Sequence, residues 1–299
     1  MYVVVGASGN TGSVVANQLL AQGKKVRIIG RNAAHLQPLS AKGADIVLAD
    51  VSDAAELVQA FQNGESAYVM IPPDPARVDV RDFQGRVTDA IAMAVEKSGI
   101  KNVVALSSIG ADQKSGTGPV VGLYELEQKL NRIQNVNVLS LRAGYFMENA
   151  LAQIGAIKMM GSAIGPLRPD LKLAMIAARD IGVAAANALL RLEFRGKQTQ
   201  ELHGQRDLDY TEATRIIAQA IAKPDLKYIQ GSRDQLRKAM VQMGMSDNFA
   251  GLILEMSDAL NSGHMKPLEA RSARNTTPTS FETFVAESFV PAYQHQQAA

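Results

Sequence analysis

Short apolar runs alternate with amphipathic stretches along the first half of the chain. Each run is rich in β-branched residues and apolar almost throughout, which is typical of parallel strands covered on both faces. The stretches between them carry apolar residues at helical spacing, as Val14, Val15 and Leu19 do. Strands that alternate with helices predict right-handed crossovers and a doubly wound α/β sheet. The predicted strands are Tyr2–Val5, Lys25–Ile29, Asp45–Leu48, Ala67–Ile71, Asn102–Leu106 and Asn137–Leu141, and the predicted helices are Thr11–Ala21, Ala54–Phe61, Val80–Ser98 and Val120–Ile133.

Helical patterns dominate the second half of the chain, and strand patterns are few. This pattern predicts a smaller, mostly helical cap over the carboxyl ends of the strands. The polar tail Gln294–Ala299 is expected to be frayed. The predicted helices are Arg179–Leu192, Thr211–Ala222, Ser232–Met243, Asp247–Ser262 and Thr279–Phe289, with short strands at Thr199–His203 and Leu226–Gln230.

Composition excludes several classes of function. The 31 basic and 29 acidic side chains nearly cancel, so we expect no nucleic-acid partner. The cysteine count of zero excludes disulfides, thiolate zinc sites and cysteine nucleophiles, and the four histidines lack metal-ligand spacing, so we expect no metal. No apolar run approaches the length of a membrane span, which predicts a soluble protein without a membrane partner, and we expect it in the cytoplasm.

The most informative motif is the glycine loop Gly6-Ala7-Ser8-Gly9-Asn10-Thr11-Gly12. It follows the first predicted strand at once and opens the first predicted helix. Gly6 would permit the tight turn, Gly9 the approach of a pyrophosphate, and Gly12 the close packing of helix on strand. Together with Ser8, Asn10 and Thr11 these glycines are candidate dinucleotide-binding residues, because a helix amino end attracts phosphate. The alternative is a plain strand-to-helix turn.

The end of the second predicted strand bears on the choice between NAD and NADP. An acidic residue there would bind the ribose hydroxyls of NAD, whereas this sequence has Gly30-Arg31-Asn32. The Arg31 guanidinium is suited to pair with the 2′-phosphate of NADP through two hydrogen bonds, which favours NADP(H) as the cofactor. An ordinary solvated arginine is the alternative.

Three further strand ends contribute candidate cofactor contacts. Asp50 can accept a hydrogen bond from the adenine amino group, with Val51 beside the ring, although an acidic residue there can also be a helix cap. Pro72-Pro73 stops the fourth strand near the expected position of the cofactor ribose, which makes Ile71 and Pro72 candidate contacts. Ser107 ends the fifth strand on the cofactor side of the sheet.

With these pieces the chain resembles the NmrA-like branch of the atypical short-chain dehydrogenase/reductases. The resemblance covers almost the whole chain and implies a Rossmann-type fold, NADP(H), and either reduction of a small conjugated acceptor or redox sensing. The region from Tyr210 to Pro267 is similar to the cap of the quinone oxidoreductases and triphenylmethane reductases of this branch. The matching motifs are the glycine loop, Gly30-Arg31-Asn32, Asp50-Val51, Leu106-Ser107-Ser108, the stretch from Leu141 to Asn149, and Arg179-Asp180-Ile181.

The catalytic machinery departs from the ordinary short-chain dehydrogenase pattern of a serine with Tyr-x-x-x-Lys. Tyr124 is followed four positions later by Gln128, and Lys129 comes one position late, about 100° round the helix. Tyr124 is therefore a candidate catalytic residue with packing or pocket lining as its alternative roles. Direct hydride transfer to an electron-poor acceptor needs placement more than a protein acid, so reduction remains feasible.

Candidate substrate-pocket residues stand at the ends of the fifth and sixth strands and on the helix between them. Tyr145 and Phe146 offer a flat aromatic wall, with core packing as the alternative. Four methionines of the cap, Met240, Met243, Met245 and Met256, are expected inside it, where they fill irregular gaps. The pocket candidates are Ser108, Tyr124, Gly144, Tyr145 and Phe146.

These residues and the resemblance support two functions. The first is an NADP(H)-dependent oxidoreductase that reduces a quinone-like or other conjugated small molecule, as a monomer or homodimer. The second is a non-catalytic redox sensor that binds a protein partner, and an epimerase is disfavoured because it needs the Tyr–Lys pair. We expect residues 1–150 to form the NADP-binding domain, with 175–195 returning to it, and residues 151–299 to form the substrate-binding cap.

Overall fold

The computed structural model describes residues 1–295, and its first half folds as an alternation of strands and helices. Apolar runs become buried strands, and the amphipathic stretches become helices. The strands are β1 (Tyr2–Val5), β2 (Val26–Gly30), β3 (Asp45–Leu48), β4 (Ser66–Val69), β5 (Asn102–Ser108) and β6 (Asn137–Ala143). The helices are α1 (Gly12–Ala21), α2 (Ala33–Ser40), α3 (Ala54–Phe61), α4 (Val80–Ser98) and α5 (Val121–Arg132).

The second half of the described chain contains six further strands and seven further α-helices. Its strands are β7 (Tyr145–Phe146), β8 (Ser162–Gly165), β9 (Leu173–Ile176), β10 (Lys197–Leu202), β11 (Asp207–Leu208) and β12 (Lys227–Gln230). Its helices are α6 (Ile154–Met160), α7 (Ala178–Arg191), α8 (Tyr210–Ala220), α9 (Arg233–Gln242), α10 (Asp247–Ser262), α11 (Phe281–Phe284) and α12 (Val290–His295). None of the helices within residues 1–295 combines the length and apolarity needed to cross a bilayer.

Seven of the described strands form one parallel sheet in the order β10-β6-β5-β4-β1-β2-β3. The first three strands run outward from β1 in one direction, and the chain then crosses to the other side of β1 to start β4. The carboxyl ends of β1 and β4 therefore part at the edge where the direction reverses. Open α/β sheets bind ligands in the crevice at such a switch point.

Helices cover both faces of this sheet. On one face α1, α2 and α7 pack over residues such as Val4, and on the other α3, α4 and α5 pack over Val3 and Val5. The alternation of the three valines between the two cores follows from the period of two along a strand. All three are fully buried. This two-sided burial explains why the strands are apolar almost throughout.

A third core lies within the second half of the chain. Two small sheets, in the orders β11-β9-β7 and β12-β8, contribute to it together with α6, α8 and the terminal helices. Its largest fully buried side chains include Phe281 and Phe289. The carboxyl-terminal segment is therefore an integral part of the folded second half.

The α/β fold predicted from the sequence is confirmed, and five differences of detail have physical causes. The segment predicted as Thr199–His203 is β10, which pairs with β6 and so adds a seventh strand to the large sheet. Helix α2 was not predicted, because it is short and contains Pro38. Strands β7, β8, β9 and β11 and helix α6 were not predicted, because they are too short to show a period.

The predicted helix Thr279–Phe289 starts later, at Phe281, and passes through a short π-helix into α12. Gln294 and His295 belong to α12, and residues 296–299 lie outside the described residues.

A buried carboxylate fastens the carboxyl-terminal segment to α7. Asp180, 8% exposed, accepts hydrogen bonds from the Thr279 amide at 2.9 Å and the Thr279 hydroxyl at 2.7 Å. Arg179 donates to the same hydroxyl and pairs with the exposed Glu287. The carboxyl-terminal segment, which contributes to the third core, is thus bound to α7, a helix that packs on the seven-stranded sheet.

We predict that Asp180→Ala lowers the free energy of unfolding by about 2 kcal/mol, because it leaves a buried amide without its acceptor. Glu287→Ala is the matched control, since it removes an exposed partner of the neighbouring arginine and should cost less than about 1 kcal/mol. Urea unfolding followed by circular dichroism measures both. Equal losses in the two variants would show that Asp180 does not hold the segment.

Candidate functional site

The loop between β1 and α1 brings the start of the helix directly against the end of the strand. Gly6 has a φ of 69°, in the left-handed region that glycine adopts at little cost. The amide of Gly9 donates to the Gly6 carbonyl oxygen at 2.9 Å and closes the turn. A Cβ atom on Gly12 would collide with that same oxygen. The turn and the close packing therefore both depend on glycine.

The amino end of α1 is left accessible by this arrangement. Ser8, Gly9 and Asn10 are exposed, and within residues 1–295 the Thr11 side chain makes no capping bond to the helix. The Thr11 hydroxyl is buried and accepts a hydrogen bond from Tyr68 at 2.8 Å, and burial raises the pKa of Tyr68, which keeps it a donor. Because a helix amino end attracts anions, this loop fits the pyrophosphate of a dinucleotide.

Arg31 and Asp50 stand at the same edge of the sheet, after β2 and β3. Arg31 is exposed and makes no side-chain hydrogen bond or ion pair within the described chain, whereas its neighbour Asn32 caps α2 at 2.9 Å. Asp50 accepts from the Ser52 amide at 2.9 Å and hydroxyl at 2.8 Å. These bonds, opposed by partial burial and aided by the charges of Arg31 and Arg77, lower the pKa of Asp50. The edge thus offers an available guanidinium beside an ionised carboxylate.

Val51 and Ser107 are both buried. Val51 is 7% exposed and belongs to the core on the α3 face. The Ser107 hydroxyl donates to Glu127 at 2.5 Å, and Arg142 donates to the same carboxylate at 2.7 and 3.0 Å. Ser107 and Glu127 are each 2% exposed. The Ser107 hydroxyl is therefore engaged in a buried charge pair that ties α5 to β5 and β6.

Tyr124 lies on α5, outside the cavity lining of the described chain. It is half-buried, whereas the neighbouring Leu123 lines the cavity. Lys129 pairs with Asp89 of α4, away from Tyr124. Successive helix residues point about 100° apart, which explains why Leu123 and Tyr124 face different surroundings.

A cavity of about 990 Å³ lies at the carboxyl ends of β4, β5 and β6, between the sheet and the second half of the chain. Residues 6–12, Arg31, Asp50 and Val51 are outside its lining within residues 1–295. Met70 connects the two regions, because it lines the cavity and its Sδ would lie 2.8 Å from a Cβ on Gly6. The candidate residues that the fold brings together in this wall are Ile71, Pro72, Ser107, Ser108, Gly144, Tyr145 and Phe146.

Methionines make up much of the cavity wall. They come from the segment after β4, from α6, from α9 and the turn that follows it, from α10 and from the segment after α10, so residues far apart in sequence surround one space. Thioether side chains are apolar and flexible, and they adapt to flat ligands of different shapes. Eight of the 12 methionines line the cavity: Met70, Met159, Met160, Met240, Met243, Met245, Met256 and Met265.

Three tyrosines form a cluster at one side of the cavity. The hydroxyl oxygens of Tyr145 and Tyr210 are 3.1 Å apart, and both residues line the cavity. The ring of Tyr228 stacks on that of Tyr210 at 4.6 Å, and its hydroxyl donates to the Leu167 carbonyl at 3.0 Å. Burial raises the pKa of all three phenols, so they remain protonated at neutral pH. Tyr145 and Tyr210 thus place hydroxyl groups in the wall, whereas Tyr228 lies behind them.

Glu148 joins the cavity to α7. Both of its carboxylate oxygens accept from the Ala178 amide, at 3.0 and 3.1 Å, and so cap the helix. Burial raises the pKa of Glu148, and the nearby Asp180 raises it further. The carboxylate is thus held between a helix amino end that favours its charge and an apolar cavity that opposes it.

Two further charged groups of the wall are paired, whereas the exposed Lys266 makes no ion pair within residues 1–295. Asp74 binds Arg77 at 2.8 Å, and Lys172 binds Asp209 at 2.8 Å. An apolar wall with a few donors is suited to a flat conjugated molecule that is held without ion pairing.

Sequence reasoning missed the roles of Glu127, Arg142 and Glu148. A signal for the first pair was present, because Arg142 is the one charged residue of strand β6, and buried charges need partners. No comparable signal marks Glu148, whose role depends on where α7 begins.

Comparisons with known proteins agree with this architecture. The model described as "NmrA-like family" matches residues 2–285. The chain is 27% identical over 256 residues to an NAD(P)H azoreductase of Xenophilus azovorans, covering 86% of each chain. It resembles in fold the NADPH-dependent quinone oxidoreductase of Escherichia coli, with a TM-score of 0.76 at 23% identity, covering 97% of this chain and 100% of that one. The triphenylmethane reductase of Citrobacter sp. gives a TM-score of 0.77 at 17% identity, covering 94% and 98%.

The raised pKa of Glu148 predicts how the free energy of unfolding depends on pH. Its folded-state pKa is raised, so the folded protein loses stability as pH rises from the unfolded value, about 4.3, through the folded one. Glu148→Gln keeps an acceptor for Ala178 but cannot ionise. We therefore predict that the variant gains stability relative to the native protein between pH 4 and pH 7, measured by urea unfolding.

Asp247→Asn is the control of opposite sign. The Arg237 hydrogen bond lowers the pKa of Asp247, so the native protein gains stability over the variant as pH rises, by an amount that solvent keeps small. A Glu148→Gln profile that follows the Asp247→Asn profile would contradict the prediction.

Proposed function

The chain belongs to the NmrA-like family, and from this premise we propose that it is an NADP(H)-dependent oxidoreductase that transfers hydride to a quinone-like or related conjugated small molecule. The observation that carries the proposal is the methionine- and aromatic-lined cavity, which adjoins the glycine loop through Met70. The names of the azoreductase and of the two structurally similar reductases support the same class of reaction.

We assign the pyrophosphate to the loop Gly6, Ser8, Gly9, Asn10, Thr11 and Gly12, where backbone amides at the start of α1 are accessible. Arg31 would bind the 2′-phosphate, and Asp50 with Val51 would contact the adenine. Ile71, Pro72 and Ser107 would border the ribose and nicotinamide, since they lead from the switch point into the cavity.

Bound NADPH supplies the hydride. The chain contributes placement and exclusion of water, through Ser108, Gly144, Tyr145 and Phe146 beside the cofactor edge and the methionines opposite. A quinone that has accepted hydride can take its proton from solvent, so the absence of a Tyr–Lys pair does not block this reaction. Tyr124 is assigned to packing.

The second candidate function is a redox sensor that binds a protein partner. The observation that favours it is the pairing of Lys129 with Asp89, which leaves Tyr124 without the lysine of a dehydrogenase site. The cavity favours the enzyme, because a sensor of the cofactor alone has no need of a large space beyond the cofactor edge.

The proposal also covers organisation and location. Residues 1–150 with 175–195 would bind the cofactor, aided by β10, and the rest of 151–299 would cap the substrate. We propose that the protein works in the cytoplasm, as a monomer or homodimer.

We predict that the purified protein oxidises NADPH with at least one quinone of a panel, followed by loss of absorbance of the reduced nicotinamide. Gly12→Ala should abolish turnover, because its Cβ collides with the Gly6 carbonyl, whereas Gly251→Ala, whose Cβ meets open space, should not affect it. Saturable NADPH binding without turnover of any acceptor would favour the sensor.

For Arg31, we predict that Arg31→Asp weakens NADPH binding about 10- to 100-fold, because a charge-assisted pair is worth about 1.5–3 kcal/mol. NADH binding should change much less, since NADH has no 2′-phosphate. Lys42→Asp makes the same change of charge near the amino ends of the strands and should spare both ligands. Calorimetry provides the measurement, and equal losses for the two dinucleotides would refute the assignment.

A further inference from the structure

The pair Tyr145–Tyr210 places two phenol hydroxyls in the cavity wall. Each phenol carries one O–H, and the two hydroxyl oxygens share a single hydrogen bond at 3.1 Å. Whichever hydroxyl donates, the O–H of the other needs a further acceptor. Buried donors normally have one, and Tyr210 is 5% exposed while Tyr145 is half-buried.

The surrounding described side chains offer few acceptors for that proton. The Tyr228 hydroxyl donates to the Leu167 carbonyl. The exposed Asn149 side chain lines the cavity beside Tyr145 and hydrogen-bonds to it, and a ligand carbonyl in the cavity would compete with the Asn149 amide oxygen for the phenol proton. Burial is the main cause that raises the pKa of Tyr145 and Tyr210, which keeps both protons in place.

Both tyrosines line the cavity, so an acceptor can come from a ligand inside it. We propose that the Tyr145–Tyr210 pair donates a hydrogen bond to a carbonyl oxygen of the electron acceptor, which makes the preferred substrates quinones or conjugated ketones. This inference rests on the proposed function and narrows its substrate class. It gives the pair a role beyond that of an aromatic wall.

The chemistry of the acceptor agrees with this placement. When hydride adds to a quinone, the electron pair displaced from the C=O system ends on an oxygen, which becomes a phenolate. A donor aimed at that oxygen stabilises the charge as it develops. A proton from solvent then completes the hydroquinone, so neither tyrosine loses its proton.

Either hydroxyl of the pair can donate, so only a variant that removes both is informative. After Tyr145→Phe alone, the remaining Tyr210 hydroxyl keeps its own proton and can still donate, and the converse holds for Tyr210→Phe. The double variant Tyr145→Phe/Tyr210→Phe removes both donors and keeps the ring volumes. Tyr228→Phe is the matched control, because it makes the same chemical change behind the pair, outside the cavity lining of the described chain.

Ligand binding tests the proposal without turnover. 9-Fluorenone and fluorene have nearly the same shape and differ by a carbonyl, so the ratio of their dissociation constants, measured by equilibrium dialysis, reports the hydrogen bond. We expect the preference for fluorenone to fall about tenfold in the double variant and to persist in Tyr228→Phe. The carbonyl stretch of bound fluorenone, measured by infrared spectroscopy, should shift to higher frequency in the double variant only.

Kinetics provide the second readout. With a quinone, the double variant should lose about 100-fold in kcat with little change in KM, because the bond strengthens as charge develops. An unchanged fluorenone preference, or an unchanged kcat for a quinone that the native protein reduces, would overturn this role and leave the proposed function standing. If the native protein reduces no conjugated acceptor, the proposed function fails, and the fluorenone ratio still decides whether the pair binds a carbonyl.

Discussion

The contact between the start of α1 and the Gly6 carbonyl determines what can lie at the carboxyl edge of the sheet. Because Gly12 has no Cβ, the helix begins directly on the turn that ends β1, the strand that parts from β4 at the switch point. Gly6 leaves space for the Met70 side chain, which continues into the cavity. One close backbone approach thus places an anion-binding helix end next to an apolar space.

Buried carboxylates fix the position of the second half of the chain relative to that edge of the sheet. Glu148, from the segment after β7, caps α7, and Asp180, in the first turn of α7, binds Thr279 near the end of the chain. Helix α7 also packs on α1. Since a buried charge without its partner is costly, these contacts permit few alternative positions for the cavity wall.

The sequence could predict features that depend on local patterns. Continuous apolar runs indicated the first six strands, and the order of strand, glycine loop and helix indicated the turn at Gly6. Helix α2 escaped because Pro38 and a short length hide its period. Contacts such as Tyr145 with Tyr210, 65 positions apart, depend on the register of β7 with β9 and on where α8 starts, which no local pattern encodes.

The electrostatics of the cavity favour one direction of chemistry. A dehydrogenase that oxidises alcohols needs a phenol whose pKa is lowered by a lysine, so that it can take a proton. Here Lys129 is paired with Asp89, and burial raises rather than lowers the pKa of the cavity tyrosines. Phenols of this kind stay protonated at neutral pH, so they can donate a hydrogen bond but cannot serve as the base that an alcohol dehydrogenase needs. They therefore suit an acceptor that gains negative charge on oxygen, as in the proposed reduction.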